Sequence, residues 1–281
     1  MTKTLLSFGH GFSARALTRL LLGQGWRVIG TTRSHDKAEA LRAEGVEALI
    51  WPGEDPGPAL ALATRVLLSA APDGEGDPVL AELTDQITAN VESFEWVGYL
   101  STTGVYGDHN GGWVDETTPL TPATRRGRQR VLAESQWQAL AKTTGLPLHI
   151  FRLAGIYGPG RGPFSKVRRG TARQIIKKDQ VFSRIHVDDI AQVLAASIAA
   201  PNPGAVYNVC DNEAAPPQDV LAHAADLLGT DLPPPEDYET AEMTPMARSF
   251  YAESKRVRNC RITGELGAEL LYPTYREGLA A

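Results

Sequence analysis

Short, almost continuously apolar segments alternate with longer segments of helical periodicity in the first half of the chain. TLLSF (4–8), RVIGTT (27–32) and WVGYLST (96–102) have the apolar composition of strands that helices cover on both faces. Strands that alternate with helices predict parallel pairing and a doubly wound α/β sheet. The other predicted strands are VEALIW (46–51), TRVLLSAAP (64–72), PLHIFRL (147–153) and AVYNVC (205–210), and the predicted helices cover 13–25, 35–44, 78–90, 188–200 and 216–229.

The pattern becomes less regular after residue 157. GPGRGPFSKVRRG (158–170) predicts a basic loop, and the proline-rich DLPPPEDY (231–238) predicts a turn. We therefore predict a main domain and a smaller lobe. The main domain covers 1–157 with its sheet completed by about 186–210, and the lobe is formed by 158–185 and 211–281.

Charge and composition restrict the function classes. The 281 residues carry a formal net charge of −5, which argues against non-specific nucleic-acid binding. The two cysteines have no metal-ligand spacing, so we expect no metal site and a reducing compartment. The amino-terminal apolar run is too short for a signal peptide, and no stretch reaches the roughly 18 apolar residues of a membrane span. We expect a cytoplasmic protein without membrane partners.

A glycine-rich stretch follows the first predicted strand. SFGHGFSAR places Gly9, Gly11 and Ala14 in a G-x-G-x-x-A pattern that opens a helix, which is the context that a dinucleotide-binding loop requires. The glycines permit a tight turn and close approach of a pyrophosphate, and the helix start, with Phe12 and Ser13, offers free N–H groups. A glycine turn without a ligand is the alternative.

The end of the second strand indicates which dinucleotide. NAD-binding loops are usually followed, about 20 residues on, by a carboxylate that binds the ribose 2′-hydroxyl. This chain has Arg33 there, between Thr32 and Ser34, and a guanidinium with hydroxyl neighbours suits a 2′-phosphate. We predict NADP as the cofactor, with NAD less favoured. An exposed surface arginine is the alternative explanation.

Several later segments resemble one family. In order, these are YLSTTGVYGD, DETTPLTP, FRLAGIYGPGR, RIHVDDIA and AVYNVCDNE. With the glycine loop they resemble the short-chain dehydrogenase/reductase superfamily, in its extended or atypical branch of NAD(P)-dependent epimerase/dehydratase type. The resemblance implies a Rossmann-type doubly wound parallel sheet with a small C-terminal substrate lobe. It implies oxidoreductase or epimerase activity at a nicotinamide cofactor.

The resemblance also marks positions for the chemistry. The family hydroxyl that binds the reacting oxygen corresponds to Thr102, four residues before Tyr106. The family's Tyr-x-x-x-Lys pair aligns with Arg126 and Arg130 in TRRGRQRVLAE (124–134), so both of its catalytic side chains are replaced. Arginine stays protonated and cannot act as an ordinary general acid–base. Arg130 can still donate to a ribose, and Arg126 can bind an anion.

Because the Tyr and Lys are replaced, the residue that transfers the proton and the function class both have alternatives. Tyr106 or Tyr157 can take the tyrosine's role, although Tyr106 can instead form a pocket wall. The arginine run, with the basic loop after residue 160, suits an anionic or nucleotide-linked small molecule, or forms a solvated face. The first function class is an NADP(H)-dependent oxidoreductase or epimerase, and the second is a catalytically inactive NADP(H)- or metabolite-sensing protein. Further predicted cofactor contacts are Ser69, Ala70, Ala71 and Leu153.

Overall fold

A seven-stranded parallel sheet organises the chain. The structure, a computed structural model, describes residues 3–281 apart from the side chain at position 246. The sheet consists of β1 (Thr4–Phe8), β2 (Arg27–Thr32), β3 (Glu47–Ile50), β4 (Arg65–Leu68), β5 (Trp96–Thr102), β7 (Leu148–Leu153) and β11 (Val206–Val209). Shorter strands are β6 (Trp113–Val114), β8 (Gly155–Tyr157), β9 (Gln174–Ile176), β10 (Arg184–His186), β12 (Pro235–Asp237) and β13 (Arg256–Val257).

Helices follow most of the strands. Those of the sheet region are α1 (Phe12–Gly23), α2 (His35–Ala43), α3 (Gly57–Leu62), α4 (Pro78–Ala89), α5 (Arg125–Thr144) and α7 (Val187–Ala199). The others are α6 (Pro163–Arg168), α8 (Pro217–Leu228), α9 (Pro245–Phe250), α10 (Cys260–Gly264) and α11 (Tyr275–Ala280), with 3₁₀ helices at Val91–Ser93 and Thr103–Tyr106.

Side chains that alternate along the strands form two cores. Leu5 packs with Leu17 of α1 on one face of the sheet. Leu6, the next residue of β1, packs with Leu60 and Leu83 on the other face. Successive side chains of a strand point to opposite faces, so a continuously apolar strand needs helices on both sides. The structure confirms the predicted Rossmann-type doubly wound α/β sheet.

The strand order creates a crevice. It runs β11-β7-β5-β4-β1-β2-β3, so the chain winds outward from β1 in one direction and continues from β4 in the other. Ligands of open α/β sheets bind outside the carboxyl ends of the strands where the order reverses. This point lies between β1 and β4, beside the glycine loop.

The irregular segments are more ordered than predicted. The predicted loop 158–170 contains α6, which begins at Pro163, a residue suited to the first helical position. The predicted turn 231–238 contains β12, which pairs in parallel with β9. Neither segment has a periodic apolar face, so these elements depend on partners distant in sequence. The domain boundaries stay a prediction, and residues 1 and 2 of the main domain lie outside the described residues.

Candidate dinucleotide and substrate site

Gly9 forms a turn that no other residue fits. Its φ of +76° is left-handed, and a Cβ would lie 2.8 Å from the backbone nitrogen of Ala70. Its N–H donates to Thr31 Oγ1 at 2.9 Å, which ties the loop to β2. The glycine therefore allows the loop to pass directly over the end of β4.

The start of α1 points unpaired donors at the crevice. Gly11 is the N-cap residue, and within the described chain no side chain caps this end and no acidic residue lies in the first turn. A Cβ on Gly11 would meet nothing closer than Gly9 O at 3.7 Å, so the space beside it is open. The N–H groups of Phe12, Ser13 and Ala14 precede the helix's own hydrogen bonds. These features fit a pyrophosphate, whose charge the helix dipole favours.

His10 belongs to this loop, and its side chain packs against β2, a feature that the sequence interpretation missed. Its side chain is 7% exposed and occupies the space where a Cβ on Gly30 would lie, 2.7 Å from the ring. Burial lowers the pKa of His10 to about 4, so the ring is neutral at pH 7. A glycine inside the apolar strand RVIGTT was the available signal, because such glycines often mark a close approach.

The end of β2 exposes a cation. Arg33 is exposed, and its guanidinium makes no hydrogen bond or ion pair with any residue from 3 to 281. Ser34 caps α2, with Oγ accepting from Lys37 N at 3.4 Å, and Thr32 Oγ1 accepts from Ser34 N at 3.3 Å. The two hydroxyls thus shape the turn that presents Arg33.

The predicted contacts on β4 and β7 lie at the same edge of the sheet. Ser69 and Ala70 are half-buried and Ala71 is exposed, immediately after β4. Ser69 N donates to Phe8 O at 2.8 Å, so this segment runs beside the glycine loop. Leu153 ends β7 opposite Thr102 and is 5% exposed, which leaves little of its side chain for a ligand.

Thr102 lies at the carboxyl end of β5. Its Oγ1 accepts from Gly104 N at 3.2 Å, which leaves its own O–H free to donate. Gly127 of α5 lies against the same turn, because a Cβ there would be 2.7 Å from Gly104 O. This close approach brings the arginine-rich start of α5 next to Thr102.

Arg130 and Arg126 have different surroundings. Arg130 Nη1 donates to Leu100 O at 2.7 Å and to Tyr99 Oη at 3.0 Å, so its guanidinium lies against β5. Arg126 is exposed, with its guanidinium carbon 5.9 Å from the ring centroid of Phe250 in α9. The structure therefore brings Thr102, Arg126 and Arg130 to one region.

The structure places Tyr106 in the core. The residue is 0% exposed; its hydroxyl donates to Asn208 Oδ1 at 2.7 Å and accepts from Arg152 Nη1 at 3.0 Å. Burial also raises the pKa of its hydroxyl. Both hydrogen-bonding roles are used and no surface is open, so this geometry offers no proton to a ligand.

Tyr157 is also enclosed. It is 4% exposed, and a Cβ on Gly278 would lie 2.1 Å from its hydroxyl. Burial raises the pKa of Tyr157 far above its ordinary value. Its ring packs edge-on against His186, which is 3% exposed and accepts from Asp188 N through Nδ1 at 3.2 Å. His186 is a packed histidine that caps α7.

A buried ion pair connects α5 to the sheet. Arg152 of β7 donates to both carboxylate oxygens of Glu134, at 3.2 and 2.8 Å, and the side chains are 6% and 2% exposed. Ser101 Oγ also donates to Glu134. Because Ser101 precedes Thr102, this network sets the position of α5 relative to the end of β5.

The basic segment 158–170 approaches the glycine loop through one of its arginines. The guanidinium of Arg161 lies 5.5 Å from the ring centroid of Phe12, at the start of α1. Arg168 stacks instead on Phe164, within its own short helix. In the described residues no cluster of three metal-ligating side chains occurs, and no helix is both long and apolar enough to cross a membrane.

Comparisons with known proteins agree with this geometry. The NAD dependent epimerase/dehydratase family matches residues 79–210. Protein YeeZ of Escherichia coli K12 is 30% identical over 284 residues, which cover 96% of this chain and 97% of that protein. The chain belongs to the NAD-dependent epimerase/dehydratase family. This confirms the family resemblance drawn from the sequence motifs.

Solved structures of similar proteins have the same fold. A functionally unknown conserved protein from Silicibacter pomeroyi is 66% identical, with a TM-score of 0.95, and the match covers 100% of this chain and 98% of that one. UDP-glucuronic acid 4-epimerase from Bacillus cereus, in complex with UDP-glucuronic acid and NAD, is 17% identical, with a TM-score of 0.79 over 99% and 97% of the two chains. At that identity the likeness shows the fold alone.

Proposed function

We propose that this protein binds NADP(H) across the crevice between β1 and β4 and acts as an oxidoreductase or epimerase. One observation carries the cofactor assignment: α1 begins with free N–H groups under a glycine turn, beside open space at Gly11. This arrangement fits a pyrophosphate, and it lies where the strand order reverses.

Arg33 supports NADP over NAD. The Bacillus cereus epimerase was solved with NAD. Here the end of β2 carries an exposed guanidinium that lacks a protein partner among the described residues. A guanidinium can bind a 2′-phosphate in a bidentate manner, whereas a ribose 2′-hydroxyl is usually bound by a carboxylate.

Thr102 and Arg130 supply the chemistry that the structure supports at the nicotinamide end. A nicotinamide cofactor, when bound, supplies or accepts a hydride. The free O–H of Thr102 would orient the reacting oxygen, and Arg130 would donate to the ribose with the N–H groups that Leu100 and Tyr99 leave free. Because Tyr106 and Tyr157 are enclosed, we propose that the proton is exchanged with water.

The second candidate is an NADP(H) or metabolite sensor without turnover. The enclosure of Tyr106 and Tyr157 favours it, because the family's Tyr and Lys positions are arginines here and neither tyrosine presents an exposed hydroxyl. The two candidates share the cofactor site and differ only in the reaction.

The cofactor proposal is tested by titrating the protein with NADPH and NADH, following nicotinamide emission. We expect NADPH to bind more tightly, and Arg33→Asp to weaken NADPH binding by about 10- to 100-fold, since hydrogen bonds to charged groups contribute about 1.5–3 kcal/mol. Lys142→Glu, with the same charge change at the far end of α5, should leave both affinities unchanged. An unaltered NADPH/NADH ratio in Arg33→Asp would overturn the NADP assignment.

A turnover assay separates the two candidates. NADPH oxidation is measured with a panel of aldehydes, ketones and nucleotide sugars. Turnover that Thr102→Val lowers strongly, with cofactor binding intact, supports the enzyme. Tight NADPH binding without turnover on the whole panel supports the sensor.

A further inference from the structure

The arginines at the start of α5 lack the negatively charged partners that buried or helix-terminal cations normally have. Arg125, Arg126, Arg128 and Arg130 form no ion pair within residues 3–281, and the first turn of α5 contains no acidic residue. Positive charges at a helix amino terminus are unfavourable because the helix dipole is positive there. This terminus therefore has a net attraction for an anion.

Helical spacing places these arginines on two different faces of α5. Arg126, Arg130 and Glu134 follow one another at four-residue intervals and so lie on one face. Arg130 contacts Leu100 O, and Glu134 is buried against β7, so this face is turned to the sheet. Arg128 lies on the other side, where its Nη1 donates to Ala123 O at 2.8 Å.

Arg126 extends the sheet-facing stripe beyond the end of β5. The contact of Gly127 with Gly104 shows that the first turn of α5 is level with the turn after Thr102. Phe250, which is 56% exposed, approaches the guanidinium of Arg126 from α9. The exposed guanidinium thus lies beside the carboxyl-terminal segment, on the helix turn next to Gly104, and the described residues use none of its N–H donors.

We propose that Arg126 binds an anionic oxygen group of the substrate, a carboxylate or a phosphate, directly beside Thr102. This rests on the proposed function, because it names the substrate class of that site. A guanidinium can donate two parallel hydrogen bonds to such a group but cannot exchange a proton with a neutral hydroxyl. The charged group of the substrate therefore takes the place where a tyrosine would meet a hydroxyl.

The test uses small anions with a neutral counterpart. Oxamate, oxalate and inorganic phosphate are titrated by calorimetry into the protein with saturating NADPH, and oxamide serves as the uncharged analogue of oxamate. We expect the anions to bind and oxamide not to bind. Arg126→Gln should weaken anion binding tenfold or more, Arg126→Lys should weaken it less, and Arg128→Gln should match the unmodified protein.

Each result decides the proposal. Equal binding of oxamide and oxamate, or unchanged anion binding in Arg126→Gln, would overturn it. Tighter binding of oxalate than of phosphate indicates that the anionic group of the substrate is a carboxylate. Tighter binding of phosphate indicates that it is a phosphate. If NADPH does not bind, the same titrations are done without cofactor, so that loss of the cofactor proposal and loss of the Arg126 proposal remain distinguishable. In that case, anion binding that depends on Arg126 still supports the Arg126 proposal, and the absence of such binding overturns that proposal.

Discussion

The glycine loop after β1 and the start of α5 beside β5 lie at the same edge of the sheet, with β4 between their strands. They differ in which groups they present to a ligand. At the glycine loop, backbone N–H groups face the crevice, and the side chains contribute mainly by being small, as at Gly9 and Gly11. At α5, Gly127 still allows a close backbone approach to Gly104, but the available donors belong to the side chains of the exposed Arg126 and the half-buried Arg130.

The difference shows which features a fold preserves. A binding site made of backbone N–H groups depends only on a turn and the start of a helix. The fold therefore creates such a site wherever glycine permits the turn. A catalytic pair depends on two side chains that the fold does not require. The Glu134–Arg152 pair keeps α5 in position whatever residues stand at 126 and 130. Fold likeness therefore supports the cofactor proposal more strongly than it supports a reaction.

Breaking the buried Glu134–Arg152 ion pair beneath α5 should cause the largest loss of stability. Glu134→Gln leaves Arg152 buried without its counter-charge, and breaking such a pair costs about 3–5 kcal/mol. Urea unfolding measures this loss. Glu265→Gln is the control, because its pair with Arg261 is exposed and such pairs contribute about 0.3–0.5 kcal/mol. Similar losses in the two variants would contradict a structural role for Glu134.

Changing the glycine loop should have the next largest effect on stability. Gly9→Ala combines a left-handed φ with a clash against the backbone of Ala70. Gly25→Ala is its control, since Gly25 has a φ of +78° and nothing within 4 Å of a Cβ. The control should lose about 1–2 kcal/mol, the cost of the left-handed conformation alone. Gly9→Ala should lose more.

The same pair of variants sharpens the cofactor proposal. We expect NADPH binding to be lost in Gly9→Ala and retained in Gly25→Ala, measured below the temperature at which either variant unfolds. Full NADPH affinity in a folded Gly9→Ala protein would place the pyrophosphate elsewhere.

Removing the Tyr106 hydroxyl should have the smallest effect. Tyr106→Phe leaves Asn208 Oδ1 without its donor, while Arg152 keeps Glu134, so we expect a loss of about 1–2 kcal/mol. Denaturant unfolding and steady-state kinetics are measured together. Unchanged kcat supports the enclosed, structural role. A lost kcat with unchanged stability would show instead that Tyr106 takes part in the reaction.

Local sequence patterns predicted the main sheet well and the smaller elements poorly. The bounds of β1, β2 and β5 match TLLSF, RVIGTT and WVGYLST, because each is a largely buried strand in an almost continuously apolar segment. The helix α6 and the strand β12 were not predicted, because they are short and their packing comes from distant segments.

The site shows the same division. The sequence allowed Gly9, Gly11 and Arg33 to be predicted as site residues, because they follow predicted strands at defined intervals. His10 and Gly127 were missed, because their importance depends on what lies opposite: Gly30 for the histidine ring, and Gly104 for the start of α5. A one-dimensional pattern contains no information about such contacts.

The sequence by itself determined the parallel sheet, the glycine turn and the cation after β2, since these follow from apolar periodicity and from residues close together in the chain. Only the tertiary structure decided which side chains are available for chemistry. It encloses Tyr106 and Tyr157 and leaves Arg126 exposed beside Phe250. Exposure depends on packing between segments more than a hundred residues apart, such as Tyr106 with Asn208, which no local pattern specifies.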